Sequence, residues 1–248
     1  MESEPESKTA ASSWKQRGLE FCHVWHGGWS RLWPRLWIVL LAAGIGMLLV
    51  AFFSSADNAL LRQIQVKNET VTSVARYLSD YSDRTVPLGA PLGLFIWMVG
   101  VVRRNVRWRK LGIACLIATL VAGLIVDVFR VATGRTRPYV KEPDRFHWFS
   151  TRSAYQSFPS GHTGVASATA TVLAVAVPEL TIPCVAFGGA VAWSRLQLNA
   201  HHPTDVTVSF VIGIVCGLSF GSAVPGVAIR LRRRKRKKKL PVKAIASG

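Results

Sequence analysis

Acidic residues are scarce in this sequence. Only 13 Asp and Glu stand against 31 Lys and Arg in 248 residues, a formal net charge of +18. No acidic cluster offers an oxygen cage for a hard cation. Cysteine is as thin: Cys22, Cys115, Cys184 and Cys216, with no pair at metal-ligand spacing. Three of the four sit inside apolar runs, so they read as small buried hydrophobes and say little of redox compartment. Nor is a cleavable signal peptide expected. The first apolar run begins after about 35 polar and mixed residues and is long enough to span a bilayer, so it reads as an uncleaved anchor.

What the chain does have is apolar length. Half of its residues are hydrophobic and its mean hydropathy is +0.27. Apolar blocks alternate with basic ones, the pattern of an integral membrane protein. A soluble nucleic-acid binder would spread its basic residues over a folded surface, whereas ten of them here lie between Arg230 and Lys243. No nucleic-acid partner is therefore expected.

A helix needs roughly 20 mostly apolar residues to cross the bilayer core. Six candidates follow: Leu36–Phe53, Val86–Val102, Leu111–Phe129, His162–Val177, Leu180–Trp193 and Val206–Val227. The fourth and fifth are joined only by "PE", so they should form a tight antiparallel pair. The expected fold class is all-α, a polytopic membrane bundle of six transmembrane helices with added interfacial helices. Three segments are expected: an N-terminal cytoplasmic and interfacial stretch over 1–35, the bundle over 36–229 and a basic tail over 230–248.

With six crossings, one side of the membrane carries 20 of the Lys and Arg and the other 11. The positive-inside rule then puts both termini in the cytoplasm. The tail "RLRRRKRKKK" reads first as a positive-inside anchor, and more sharply as a site for anionic lipid head groups. Trp25, Trp29, Trp33 and Trp37 recur every four residues, which fits an interfacial helix feeding the first span, kinked at Pro34. His23 and His26 read as interfacial. Leu61, Ile64, Val71, Val74 and Leu78 predict one or two short surface helices over 54–85, with Asp57 as an N-cap. "NET" at Asn68 matches a glycosylation sequon, a motif common by chance. Gly213, Gly217 and Gly221, with Gly164 and Ala168, predict close helix packing inside the bundle.

Polar residues near membrane depth are costly and mark function. Arg130, Arg135, Arg137 and Pro138 follow the third span, and Ser160, Gly161 and His162 open the fourth. Ser194 and Arg195 close the fifth, and His201, His202 and Asp205 open the sixth. These groups are scattered through 76 residues, yet six crossings would bring all of them to the extracytoplasmic end. Arginine forks match phosphate oxygens in pairs. A Ser-Gly-His turn at a helix start offers N–H groups to the same anion. A histidine held by a carboxylate can be a nucleophile, and a second can protonate a leaving oxygen. The set suits metal-free phosphoryl transfer through a phosphohistidine. Spacing leaves both His201 and His202 able to face Asp205. Asp127, three residues before Arg130, reads as a structural ion pair, and His147 in "RFHWFS" as an interfacial loop residue.

"RVATGRTRP", "PSGH" and "SRLQLNAHHPTD" give Arg130-x6-Arg137-Pro138, Pro159–His162 and Ser194-Arg195-x5-His201-x3-Asp205. This ordered signature resembles that of the type 2 phosphatidic acid phosphatase superfamily, and six spans suit its membrane lipid-phosphatase branch. The resemblance implies His201 as nucleophile, with Asp205 accepting its Nδ1–H. It implies His162 as general acid and then base. Arg130, Arg137, Ser160, Gly161 and Arg195 would bind the phosphoryl oxygens, with no metal and no cofactor. His202 is left as a helix-start residue. The first motif usually begins with lysine; Arg130 keeps the charge but turns a point into a fork.

The resulting expectation is a metal-independent lipid phosphatase of a plasma membrane, a bacterial inner membrane, with its site facing outward. Its substrate would be a polyprenyl diphosphate such as the undecaprenyl carrier, phosphatidylglycerophosphate or phosphatidate, or lipid A. A lipid phosphotransferase with the same residues, or a non-enzymatic lipid-phosphate binder or transporter, is the alternative. Nothing in the sequence sets the oligomeric state.

Overall fold

The computed structural model describes residues 5–83 and 89–224. The basic tail and the last residues of the sixth expected span lie outside the described residues. Within them, eight α-helices run in order: α1 (Pro5–Leu32), α2 (Leu36–Ile64), α3 (Glu69–Asp83), α4 (Gly89–Val102), α5 (Val106–Thr133), α6 (Gly161–Ala176), α7 (Thr181–Gln197) and α8 (Pro203–Gly221). No strand occurs among the described residues; a lone antiparallel bridge pairs Arg135 with Phe146.

Helix α6 sits at the centre and packs on α5, α7 and α8. Helix α4 lies along α5, α3 lies on α7, and α1 and α2 flank α8. The core is built from small and branched residues such as Ala114, Ala118, Ala122, Val126, Ala168, Val172, Ile212 and Phe220. Close approach of α6 and α8 depends on glycine, as expected. A Cβ on Gly213 would lie 1.9 Å from Ser167 Oγ, and one on Gly217 2.5 Å from Thr171 Cβ. Outward faces are apolar, with Leu41, Leu48, Phe52, Leu120, Leu124, Ile182 and Val185 exposed. Such a surface suits lipid rather than water. Three helical stretches, Trp14–Ile64, Val106–Thr133 and Pro203–Gly221, are long and apolar enough to cross a membrane.

Several boundaries differ from expectation, because a charge near a helix end does not stop the helix. Helix α5 starts five residues earlier than expected, where Asn105 caps the N–H groups of Arg107 and Trp108. It runs on to Thr133 and stops at Gly134, whose left-handed φ of 60° closes the last turn onto Arg130 O. The fifth span extends to Gln197 and so carries Arg195 on helix. Pro34 sits in a single 3-10 turn, Trp33–Arg35, between α1 and α2. Another, Pro178–Leu180, joins α6 to α7 as the tight pair predicts.

The 54–85 stretch needs a larger correction. Residues 54–64 are not a separate surface helix but the end of α2, beyond a kink at Phe53. Asp57 is therefore no N-cap: it is buried inside α2. The cap of α3 is Asn68, whose Oδ1 accepts from Thr70 N and Val71 N.

The end of the bundle that holds the start of α5 and the end of α6 is tied by arginine. Arg107 Nη2 donates to Ala176 O at 2.8 Å, and Arg35 Nη1 to Ser219 Oγ at 3.0 Å. Arg109 forks onto buried Glu20 at 2.9 and 2.6 Å, docking α1 against α5.

Candidate active site

The opposite end of the bundle gathers the motif residues. Successive helices run antiparallel, so the end of α5, the start of α6, the end of α7 and the start of α8 meet there. Ser160 N donates to Asp205 O at 3.2 Å, which joins the second motif to the third directly. Ser157 N donates to Arg135 O at 3.0 Å and Thr133 Oγ1 to Phe158 O at 3.0 Å, which joins the first to the second.

His201 lies between α7 and α8 and is 1% exposed. Its Nδ1 lies 2.7 Å from Ser157 O. A carbonyl oxygen only accepts, so Nδ1 carries the proton and donates, and the Nε2 lone pair is left for chemistry. The implied direct hydrogen bond from His201 to Asp205 is not made. Asp205 Oδ2 stands 3.8 Å from Nδ1, because the Ser157 carbonyl occupies the donor's direction. Asp205 acts one step back: Ser157 Oγ donates to Asp205 Oδ2 at 2.5 Å while Ser157 O receives His201.

Burial pushes the His201 imidazole down to about 3. Asp205 opposes that shift, and the charges of Arg137 and Arg195 add to it. The ring is thus neutral at neutral pH, the state a nitrogen nucleophile needs. The same effect shows that both arginines lie close enough to act on His201. His202 is also buried, but its Nδ1 and Nε2 face Asp205 Oδ2 at 3.4 Å and Asp144 Oδ2 at 3.7 Å. Its backbone N–H donates to Asp205 Oδ2 at 2.8 Å at the start of α8. The two adjacent histidines thus face different partners.

The remaining motif residues lie at the same end of the bundle. His162 is the second residue of α6 and partly exposed. Ser160 is fully buried and its Oγ accepts from Thr163 Oγ1 at 3.1 Å. Arg130, in the last turn of α5, places Nη1 3.2 Å from where a Gly161 Cβ would stand, so Gly161 keeps that approach open. Its Nη1 also meets Asp127 Oδ1 at 3.2 Å, the expected ion pair, with Asp127 67% exposed. Arg195 donates to Ser79 Oγ, which brings α3 to the edge of the site. His147 stacks on Tyr155 at 3.8 Å and so anchors its own loop.

Sequence reasoning missed the layer behind the histidines. Arg135 is fully buried and all five of its N–H donors are used. Nε and Nη2 fork onto Asp144 at 3.0 and 2.6 Å. Nη1 meets Asp205 Oδ1 at 2.5 Å and Thr204 Oγ1 at 2.7 Å, and Nη2 meets Asp57 Oδ2 at 2.8 Å. Burial opposes the charge, yet Asp205, Asp144 and Asp57 raise the Arg135 pKa above its ordinary value. Three carboxylates thus converge on a guanidinium standing where a cation would otherwise be needed. The signal available in the sequence was the rarity of acid: Asp57 is the one charge between Trp37 and Leu61.

Residues 111–228 match the family model "PAP2 superfamily". Over 109 residues the chain is 31% identical to a lipid A 1-phosphatase of Rhizobium johnstonii, a match covering 41% of this chain and 39% of that protein. Over 154 residues it is 29% identical to an undecaprenyl-diphosphatase of Bacillus subtilis, covering 62% of this chain and 75% of that protein. The chain spans less than half the length of the Rhizobium lipid A 1-phosphatases that it matches. Its fold is similar to the crystal structure of a transmembrane PAP2-type phosphatidylglycerolphosphate phosphatase from Bacillus subtilis. That likeness has a TM-score of 0.52 and 17% identity, over 86% of this chain and 99% of that one. With its three motifs joined at one end of the helical bundle, the chain matches the PAP2 superfamily over residues 111–228.

Proposed function

We propose that this protein is an integral-membrane lipid phosphatase working through a phosphohistidine on His201. The observation that carries the reading is the His201 ring: neutral, buried, and fixed by the Ser157 carbonyl in the tautomer that frees Nε2. In the proposed cycle Nε2 attacks the phosphorus of a lipid phosphate or diphosphate, and His162 protonates the departing oxygen. The new bond makes the ring cationic, and Asp205 behind Ser157 stabilises that charge. His162 then takes a proton from water, which attacks the phosphohistidine and releases phosphate. Arg130, Arg137 and Arg195, with the N–H groups at the start of α6, hold the phosphoryl oxygens.

Six crossings with both termini cytoplasmic put this site at the outer leaflet, as the distribution of Lys and Arg favours. The relatives act, by their names, on lipid A 1-phosphate and undecaprenyl diphosphate. Both are lipids whose phosphate sits at the head-group layer, and both fit a site at a bundle end. The test is phosphate release by detergent-purified protein in EDTA from undecaprenyl diphosphate, lipid A, phosphatidylglycerophosphate and phosphatidate. Metal-independent release that vanishes in His201→Ala is the expected result. Undiminished release by His201→Ala refutes the mechanism, and no release from any lipid refutes the activity.

A further inference from the structure

We propose that Asp57 is a positioning residue of this site, acting on His201 through Arg135 and Asp205; the proposal rests on the phosphatase reading above. Asp57 lies in α2, well before the residues matched to the family model. It nonetheless grips the site in three places. Its Oδ2 accepts from Arg135 Nη2 at 2.8 Å and from Thr204 Oγ1 at 2.6 Å, and its Oδ1 accepts from Thr204 N at 3.2 Å. The last contact satisfies a first-turn N–H of α8, a donor without a partner inside that helix. One carboxylate on α2 therefore fixes both the guanidinium that aims Asp205 and the helix start that carries it.

The path onward is continuous. Arg135 Nη1 holds Asp205 Oδ1, Asp205 Oδ2 receives Ser157 Oγ, and Ser157 O receives His201 Nδ1–H. Every side chain on it is buried: Asp57 is 6% exposed, His201 1%, and Arg135, Ser157 and Asp205 0%. Asp57 also supplies one of the negative charges that face the cation formed when His201 is phosphorylated. The kink at Phe53 lies one turn before Asp57, so the part of α2 that carries the carboxylate has its own direction.

Asp57→Asn preserves shape but removes the charge that faces Arg135 and leaves one acceptor oxygen for two sites: if the amide oxygen receives Arg135 Nη2, its NH2 faces Thr204 N, donor against donor. Arg135 keeps Asp144 and Asp205, so the fold persists while the aim of Asp205 loosens. The expected result is a fall in kcat of about 10- to 100-fold, the range seen when residues that orient a reacting group are lost. KM is expected to stay within about 2-fold, because Asp57 touches neither lipid nor phosphate arginines; that bound follows from separating orientation from binding. In an Asp205→Asn background, adding Asp57→Asn is expected to cost less than about 2-fold more, as for two residues acting as a unit. An unchanged kcat, a loss confined to KM, or a fully multiplicative double mutant overturns the role. Should Asp57→Asn fail to fold, Thr204→Val removes the hydroxyl that donates to Asp57 and accepts from Arg135, and keeps every charge. It should lower kcat about 3- to 10-fold or more, each hydrogen bond being worth about 0.5–1.5 kcal/mol; a wild-type kcat overturns the role. Wild-type protein that releases no phosphate overturns the phosphatase reading and this role together. An active wild type with an unaffected Asp57→Asn overturns this role alone.

Discussion

Arg109, partly buried, and Arg135, fully buried, stand at opposite ends of one bundle. Arg109 meets the single carboxylate of Glu20 and pins α1 to α5. Arg135 meets Asp57, Asp144, Asp205 and Thr204, and so ties α2, the 134–160 loop and α8 to one another. The first is a fastening between two helices. The second is a platform on which the candidate site residues stand. Beside it stand Arg137 and Arg195, which lie close enough to lower the basicity of His201. Arginine thus has uses told apart by partner: one carboxylate for docking, three for aiming and, in the proposed mechanism, a phosphate for catalysis.

The comparison can be broken first at the platform. Arg135→Gln leaves three carboxylates in a dry site without their cation. A loss of about 3–5 kcal/mol or more is expected, since breaking a buried charge network strands its partners. Thermal unfolding in detergent, with folded yield, measures it. Arg195→Ala is next. Phosphate release should fall about 100- to 1000-fold, as for loss of a donor to transition-state charge. Its unfolding temperature should move far less than that of Arg135→Gln, and the two assays together separate catalysis from scaffold.

Glu20→Gln tests the fastening. It should cost about 1.5–3 kcal/mol, the worth of a hydrogen bond to a charged group, and leave kcat at the wild-type value. A fall in kcat would mean that the two ends are coupled. The smallest effect is one of pH. The His201 pKa is 6.5 when unfolded and about 3 in the folded site. Between those values the unfolded chain binds a proton that the folded chain does not, so stability falls as pH drops through that window. Unfolding temperatures at pH 7 and pH 5 should differ less in His201→Gln than in wild type.

Within the site end, the motif residues and the layer behind them differ in how far the sequence discloses them. His162, Arg195 and His201 sit in ordered motifs at span ends, and topology alone brings them together. Asp57 stands alone in an apolar helix, and its partners Arg135 and Thr204 are 78 and 147 residues away. Local reading therefore saw only a cap. Asp144 lies in "KEPDR", a polar loop that reads as solvated, although its side chain is 8% exposed. The resemblance in the motifs already preferred His201 to His202, but the Ser157 carbonyl that holds His201 Nδ1 is a backbone atom that no side-chain pattern records. Helix ends were misjudged for a simpler reason. Arg107, Arg130 and Arg195 are charged yet helical, because they lie where a helix reaches the edge of the apolar layer and can bond its neighbours.

The central claim is that His201 Nε2 becomes phosphorylated, and it is open to direct trapping. Wild-type protein would be mixed with lipid substrate carrying labelled phosphate, quenched within milliseconds to seconds, and the label mapped. The expected result is an acid-labile, alkali-stable phosphate on the peptide containing His201, absent in His201→Ala and released as inorganic phosphate during turnover. Label on His202 or His162, or rapid phosphate release with no labelled protein at any time, would contradict the account.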